Sequence, residues 1–230
     1  MILVIKLSGA GLSDSDNKYS RDKLRMVADQ IRNILDQKHK IGIVIGGGNI
    51  FRGKDLYEDL GVLRTSADYI GMLATVQNAL VLRDYLESQG IESRVMSAIA
   101  MPQICEQFIL KRAERHLNKG RVTIFAAGLG EPYFTTDTCA VERALELSAE
   151  VLIMAKNGID GIYTADPAKD KNAKFIKKIS CTEILERGLS FADAAAIGLA
   201  KENGLNIKVV AMEDMFRALD PEVGSTVLPN

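Results

Sequence analysis

Six short runs of nearly unbroken apolar residues recur along the chain: Ile2–Leu7, Ile41–Ile45, Ser93–Ala98, Arg121–Ala127, Val151–Ala155 and Ile207–Met212. None alternates cleanly between apolar and polar residues, so none reads as a strand with one wet face. Runs of this kind are strands buried on both sides, as in a parallel sheet covered by helices. The segments between them carry helical signals. Arg21–Gln37 follows Ser20, and Ala67–Gln89 follows Ser66, both residues of a type that caps helix N-termini. Asp137–Ser148 leads into the fifth run, and Asp193–Asn203 stops at Gly204, a residue type that closes helices in the left-handed region. The alternation predicts an α/β fold: a three-layer sandwich whose mostly parallel central sheet carries helices on both faces. It leaves the order of the strands open.

The bulk numbers exclude several classes. A chain of 230 residues has room for one α/β domain or two small lobes around one core. Lys+Arg 29 against Asp+Glu 30 leaves a net charge of −1, so no general polybasic surface for nucleic acid is expected. Cys105, Cys139 and Cys181 lie far apart with no C-x-x-C, which argues against a disulfide framework or a cysteine zinc site and for a reducing, cytoplasmic setting. No apolar run approaches the roughly 18 residues of a membrane span. The opening "MILVIKLSG" is interrupted by Lys6 and lacks a small-residue cleavage site, so it reads as a first strand rather than a signal peptide. In Ala67–Gln89, the residues Ile70, Met72, Leu73, Val76, Ala79, Leu80, Val81 and Leu82 cover most of the circumference. Such a helix is buried on more than one side, in a core or at a subunit interface.

The strand ends carry the chemistry. "IGIVIGGGNIFRGK" (Ile41–Lys54) runs from the second strand into three successive glycines. It falls short of a P-loop, because Asp55 stands where a Ser or Thr would meet Mg²⁺ and a carboxylate there repels phosphate. It also fails as a dinucleotide-binding turn, since Phe51 takes the third glycine's place. Alone, the triplet is no more than a tight turn. Two further bends change the reading: "KLSGAG" (Lys6–Gly11) after the first strand and "AAGLGEPYFTTDT" (Ala126–Thr138) after the fourth. Open α/β sheets bind ligands beyond the carboxyl ends of their strands, where backbone N–H groups gather anionic oxygens. Three such bends predict an anionic ligand, or two.

These bends lie in longer motifs. "KLSG", "VIGGGNIFRG", "ADYIGMLATVQNAL", "VMSAIAMP", "KGRVTIFAAGLGEPYFTTDTCA", "DGIYTADP" and "FADAAAIGLAKENGLNIKV" resemble the bacterial uridylate kinase (UMP kinase) family of the amino-acid-kinase superfamily. The resemblance implies one domain over residues 1–230, with an acceptor side in 1–145 and an ATP side in 146–230. It implies the reaction ATP + UMP → ADP + UDP in pyrimidine nucleotide biosynthesis, by direct in-line transfer. Mg²⁺ would arrive with ATP and no organic cofactor would be needed. A homohexamer, a trimer of dimers, is implied as well, with no nucleic-acid or membrane partner. The acceptor is a phosphate oxygen, already anionic at neutral pH since its second pKa is about 6, so no general base is required. His39 and His116 accordingly read as surface residues.

The resemblance also implies roles. Lys6, Leu7, Ser8, Gly9, Gly48, Arg52, Asn157, Tyr163 and Asp166 fall at ATP-binding positions. Gly47, Asp68, Leu129, Gly130, Glu131, Pro132, Tyr133, Phe134, Thr135 and Thr136 fall at UMP-binding positions, and Asn49 joins the glycines at the junction. Lys6, Asp137 and Asp193 are the catalytic set. Lys6 spreads positive charge over the transferring phosphate, and the carboxylates orient it or hold Mg²⁺ through water; no residue is assigned as a direct metal ligand. Each has a simpler reading: Lys6 reaching to solvent, Arg52 an exposed loop charge, Asp68 a helix-start charge, Thr135 and Thr136 plain N-caps, Asp166-Pro167 a plain turn. The match departs in places. Ala10 replaces the family's usual Glu, "SDSDNKYS" stands where many members carry an insert linked to GTP activation, and "AKNGIDG" shifts Lys156 relative to the common form. Two other functions use the same fold: phosphorylation of a small acid, and storage of an oxoanion without catalysis.

Overall fold

The computed structural model describes residues 1–14, 19–51, 53–189 and 191–230. Its first strand, β1 (Ile2–Leu7), shows how the layers arise. Leu3, Ile5 and Leu7 pack into one core and Val4 into the other. Successive strand residues point to opposite faces, so a run apolar at every position needs a helical layer on each side. Lys6 breaks the run on the Val4 face.

The remaining elements follow in chain order: α1 (Arg21–Asp36), β2 (Lys40–Ile45), α2 (Gly53–Asp59), α3 (Arg64–Ser88), β3 (Ser93–Ser97), β4 (Glu106–Gln107), α4 (Leu110–Asn118), β5 (Val122–Ala126), α5 (Thr136–Glu146), β6 (Val151–Lys156), β7 (Ile162–Tyr163), β8 (Phe175–Ile176), β9 (Lys178–Ser180), α6 (Cys181–Arg187), α7 (Ala194–Glu202), β10 (Ile207–Ala211) and β11 (Ser225–Leu228). Nine strands form one sheet in the order β4-β3-β5-β2-β1-β6-β10-β11-β9, and β7 pairs with β8 as a separate hairpin. The sheet is parallel from β4 to β10, and β11 runs antiparallel to β10. Helices α1 and α3 cover one face, and α4 to α7 cover the other. This is the predicted three-layer sandwich. Each fully buried Leu or Ile contributes about 1.5–3 kcal/mol relative to exposure.

The strand order places β1 between β2 and β6. The chain winds from β1 to β2 on one side and later adds β6 on the other, so a topological switch point opens at the carboxyl end of β1. That end carries Lys6.

All six predicted strands match to within one residue at each end, and β1 matches without any offset. Helix starts differ more. α3 begins at Arg64 with Leu63 in the cap position, so Ser66 lies inside the helix rather than capping it. The extra length brings Arg64 four residues before Asp68, and the two pair at 3.0 Å. Asp193 is the N-cap of α7 rather than its first residue, and its side chain accepts the Ala196 N–H at 2.9 Å. His116 is buried, not at the surface: it lies on the inner side of α4, against Glu106 and Arg121 at 3.2 Å each. Helix α6 and strand β11 lie outside the predicted elements, although Ser180 and Glu183 form a capping box at the start of α6 and Gly188 closes it in the left-handed region. Among the described residues no helix is long and apolar enough to cross a membrane.

The three thiols are free, and burial pushes the pKa of each one up, that of Cys139 to about 12. Since the thiolate is the nucleophile, iodoacetamide at pH 8 should leave Cys139 unmodified in the folded protein and alkylate it in urea. Peptide mass mapping reads this, and equal labelling in both states would contradict the packing of α5 on β1.

Candidate active site

Lys6 reaches from β1 toward α5 and forms an ion pair with Asp137 at 2.8 Å; their side chains are 13% and 17% exposed. A mostly covered ammonium is costly without a counter-charge, and Asp137 supplies it from the first turn of α5. That turn is itself fastened. Thr135, the N-cap, accepts from the N–H groups of Asp137 and Thr138 at 3.0 and 3.3 Å. Its hydroxyl donates to Asp193, and the Thr138 hydroxyl donates to the same carboxylate at 3.0 Å. Asp193 therefore ties the start of α7 to the start of α5. The predicted catalytic set is one connected group, with Asp137 on the lysine and Asp193 behind the helix starts.

A second network clamps the glycine bends. Asn78, fully buried on α3, donates to the Gly46 carbonyl and the Asn49 side chain, each at 2.7 Å. Asn49 donates to the Ser13 hydroxyl at 2.7 Å, and Tyr19 donates to Asn78 at 2.8 Å. The bend after β1 and the bend after β2 are thus locked to α3 and to each other. Gly9 sits at the crossing, where an added Cβ would lie 2.1 Å from Asn49 Oδ1 and 2.6 Å from the Gly46 carbonyl oxygen. Gly47 meets α3 as closely, with the Gly71 carbonyl oxygen 2.8 Å from a notional Cβ. Ser8 and Gly9 form the turn as expected, while the side chain of Leu7 belongs to the core.

Beyond β2 and β5 lies a cavity of about 260 Å³. Of the acceptor-site candidates, Gly47, Asp68, Leu129, Glu131, Phe134, Thr135 and Thr136 line it, and Gly48 joins them. Gly130, Pro132 and Tyr133 belong to the same loop but not to that wall. Tyr133 instead fixes the loop: its N–H donates to Asp68 at 2.9 Å, and its ring lies 5.4 Å from the Arg64 guanidinium carbon. Tyr133 and Ala127 hold positive φ angles of 71° and 61°, uncommon for residues with a side chain. The Thr75 hydroxyl holds Ala127 in place by accepting its N–H at 2.7 Å. Arg64, Thr75, Asn78 and Thr138 are absent from the sequence reading. Only Arg64 left a signal there, four residues before Asp68 on one helix.

On the far side of β1, two adjoining cavities of about 340 and 720 Å³ share Tyr163 and Asp166. Asn157 lines the larger, so all three nucleoside candidates come together. Tyr163 packs edge-on against Phe175, with ring centroids 5.4 Å apart. Asp166 also accepts the Ala168 N–H at 3.0 Å, the ordinary turn bond. Arg52 lies outside the described residues. Ala10, in the turn after Gly9, offers its carbonyl to the Lys23 ammonium at 3.3 Å.

The amino acid kinase family matches residues 1–211 of the chain. A uridylate kinase of Tropheryma whipplei is 50% identical over 217 residues, 94% of this chain and 93% of that protein. The chain belongs to the amino acid kinase family, in its uridylate kinase branch. An Arthrobacter uridylate kinase is 46% identical over 99% of this chain and 94% of its own length. Among solved structures, the UMP kinase of Bacillus anthracis superposes with a TM-score of 0.95 at 37% identity, covering 100% of this chain and 96% of that one. The enzyme from Ureaplasma parvum gives 0.90 at 34%, covering 99% and 97%. For this uridylate kinase branch member the match spans both cavities and the β1 end between them.

Two substitutions test the site. Lys6→Ala should lower kcat by about 10²-fold or more, as for loss of one electrostatic donor, without loss of fold by circular dichroism. A near-normal rate would remove Lys6 from the chemistry. Gly9→Ala should reduce thermal stability and activity together, because the Asn49–Asn78 crossing must open to admit a methyl group; an unchanged Tm would show that this crossing is looser than described.

Proposed function

We infer that this chain transfers the γ-phosphoryl group of ATP directly to UMP, giving ADP and UDP, in pyrimidine nucleotide biosynthesis. One observation carries the geometry. In the strand order β5-β2-β1-β6-β10, the 260 Å³ cavity lies at the ends of β5 and β2, and the Tyr163 cavities lie at the ends of β6 and β10. Lys6 stands on the strand between. Two nucleotides entering from either side would bring their phosphates together over it. The extent of the match to uridylate kinases supports UMP as the acceptor.

In the reaction a UMP phosphate oxygen forms the new bond to the γ-phosphorus. The bridging oxygen keeps the electron pair of the broken bond and leaves on ADP. Little is asked of the protein beyond position and positive charge. Lys6 supplies the charge where it develops, and Asp137 holds the ammonium in place. The N-termini of α5 and α7 add their partial positive ends on the same side. Among the described residues no three metal-binding side chains cluster. Mg²⁺ would arrive on the nucleotide, since that ion needs only one or two carboxylates beside substrate phosphates, and Asp137 or Asp193 would reach it through water. Asp68 and the Leu129–Thr136 loop form the acceptor pocket. A small-acid acceptor would leave most of that pocket empty, and an oxoanion store would have no use for the Lys6–Asp137 pair.

The unbroken sheet supports a single domain over residues 1–230, with the acceptor side in 1–145 and the ATP side in 146–230. Self-association as a hexamer, a trimer of dimers, rests on the resemblance to the family; the exposed Tyr69 and Leu73 of α3, opposite its buried side, are compatible with a subunit contact. Light scattering should then give six times the chain mass, and a monomer would contradict it. For the activity, ADP release is measured with UMP, CMP, AMP and no acceptor. The rate with UMP should exceed that with CMP by at least about tenfold, the scale of a modest pocket difference. Equal rates would overturn base selection, and ATP binding without turnover would favour storage.

A further inference from the structure

Among the described residues, Lys156 is a lysine beside the site to which the reaction above gives no role. It ends β6, the strand beside β1, and the register pairs Lys6 with Met154. Paired residues on neighbouring strands point to the same face, and residues two apart on one strand do so as well. Lys156 therefore leaves the sheet on the Lys6 face, one step further toward the carboxyl edge and toward the ATP side. Its ammonium donates to the Phe191 carbonyl and lies 5.8 Å from the Phe191 ring. Phe191 is part of the wall of the 340 Å³ cavity, and Asn157, the next residue in the chain, lines the larger one.

The surroundings are unusual for a lysine of this burial. Among the described residues no carboxylate comes within 4.0 Å of its ammonium, whereas Lys6 has Asp137. Burial holds its pKa below the usual lysine value; Asp137 opposes this and Lys6 adds to it. A covered cation with one carbonyl partner has N–H donors to spare and a deficit of negative charge nearby. A polyphosphate supplies both the acceptors and the charge.

We propose that Lys156 is a second phosphate-binding cation of this enzyme, contacting the triphosphate of ATP from the β6 side while Lys6 bridges to the acceptor. The proposal rests on the ATP-dependent reading above and adds a residue to it. The bond to Phe191 is kept, and the remaining donors turn to phosphate oxygens.

A lysine that merely braces the Phe191 segment would affect every nucleotide equally, and this gives the test. ATP, adenosine and UMP affinities are measured by titration calorimetry on the wild-type chain, Lys156→Gln and Lys156→Arg, with kinetics alongside. In Lys156→Gln the preference for ATP over adenosine should shrink by about tenfold or more, on the scale of a lost charged phosphate contact. Adenosine and UMP binding should stay within about twofold, since neither presents a triphosphate. Lys156→Arg should recover much of the preference. An unchanged ATP-to-adenosine ratio, or equal losses for both ligands, would overturn the proposal. If the wild-type chain binds ATP but does not phosphorylate UMP, the acceptor reading fails while this ratio still decides Lys156.

Discussion

The ion pair between Lys6 and Asp137 is the constraint from which the rest of the structure follows. A strand whose neighbours fill two cores ends in a cation, and the cation is held at 2.8 Å by a carboxylate in the first turn of α5. To keep that carboxylate there, the helix start must be fixed. Thr135 caps it, and Asp193 gathers Thr135, Thr138 and the start of α7 into one knot. The ammonium is thereby held beside its counter-charge, which is what a reaction driven by charge stabilisation requires. The topology then gives the pair its meaning, because β1 is the strand at which the sheet's winding reverses.

The two sides of the site are built differently. The side beyond β2 and β5 is tightly braced: the Asn49–Asn78 crossing, the Thr75–Ala127 bond and the Asp68–Tyr133 bond each tie α3 to a strand-end loop. α3 acts as a splint that grips two strand-end loops at three points, which explains polar residues at positions of a helix otherwise apolar around its axis. The side beyond β6 and β10, proposed above for ATP, relies on a small hairpin and on turns, with Tyr163 and Asp166 between two open cavities. A pocket that must recognise a particular nucleotide gains from preorganisation, whereas one that holds a long polyphosphate can depend more on charge. Lys156 belongs to the second strategy.

Much of this was legible from the residues. Continuous apolar runs predict the covered parallel sheet, and the glycine-bearing strand ends lie at the sheet edge where the cavities open. Lys6 stood out because a cation inside such a run demands a partner. The positioning residues were not legible, and the reason is distance along the chain. Asn78 acts on Gly46, 32 residues away; Thr75 acts on Ala127, 52 away; Thr138 acts on Asp193, 55 away. No local pattern encodes such contacts. Ser66 misled because its residue type caps helices well, yet the Arg64–Asp68 pair extends the helix past it. His116 misled because a helix rich in charge reads as exposed, although one side of it is covered.

The most direct test is a crystal structure with adenosine and uridine joined through a single polyphosphate chain. The account places the uridine against Asp68 and the Leu129–Thr136 loop, the adenosine near Tyr163, and the linking phosphates within hydrogen-bonding distance of the Lys6 ammonium. A complex in which either nucleoside lay outside these cavities, or in which the chain crossed away from the end of β1, would contradict it.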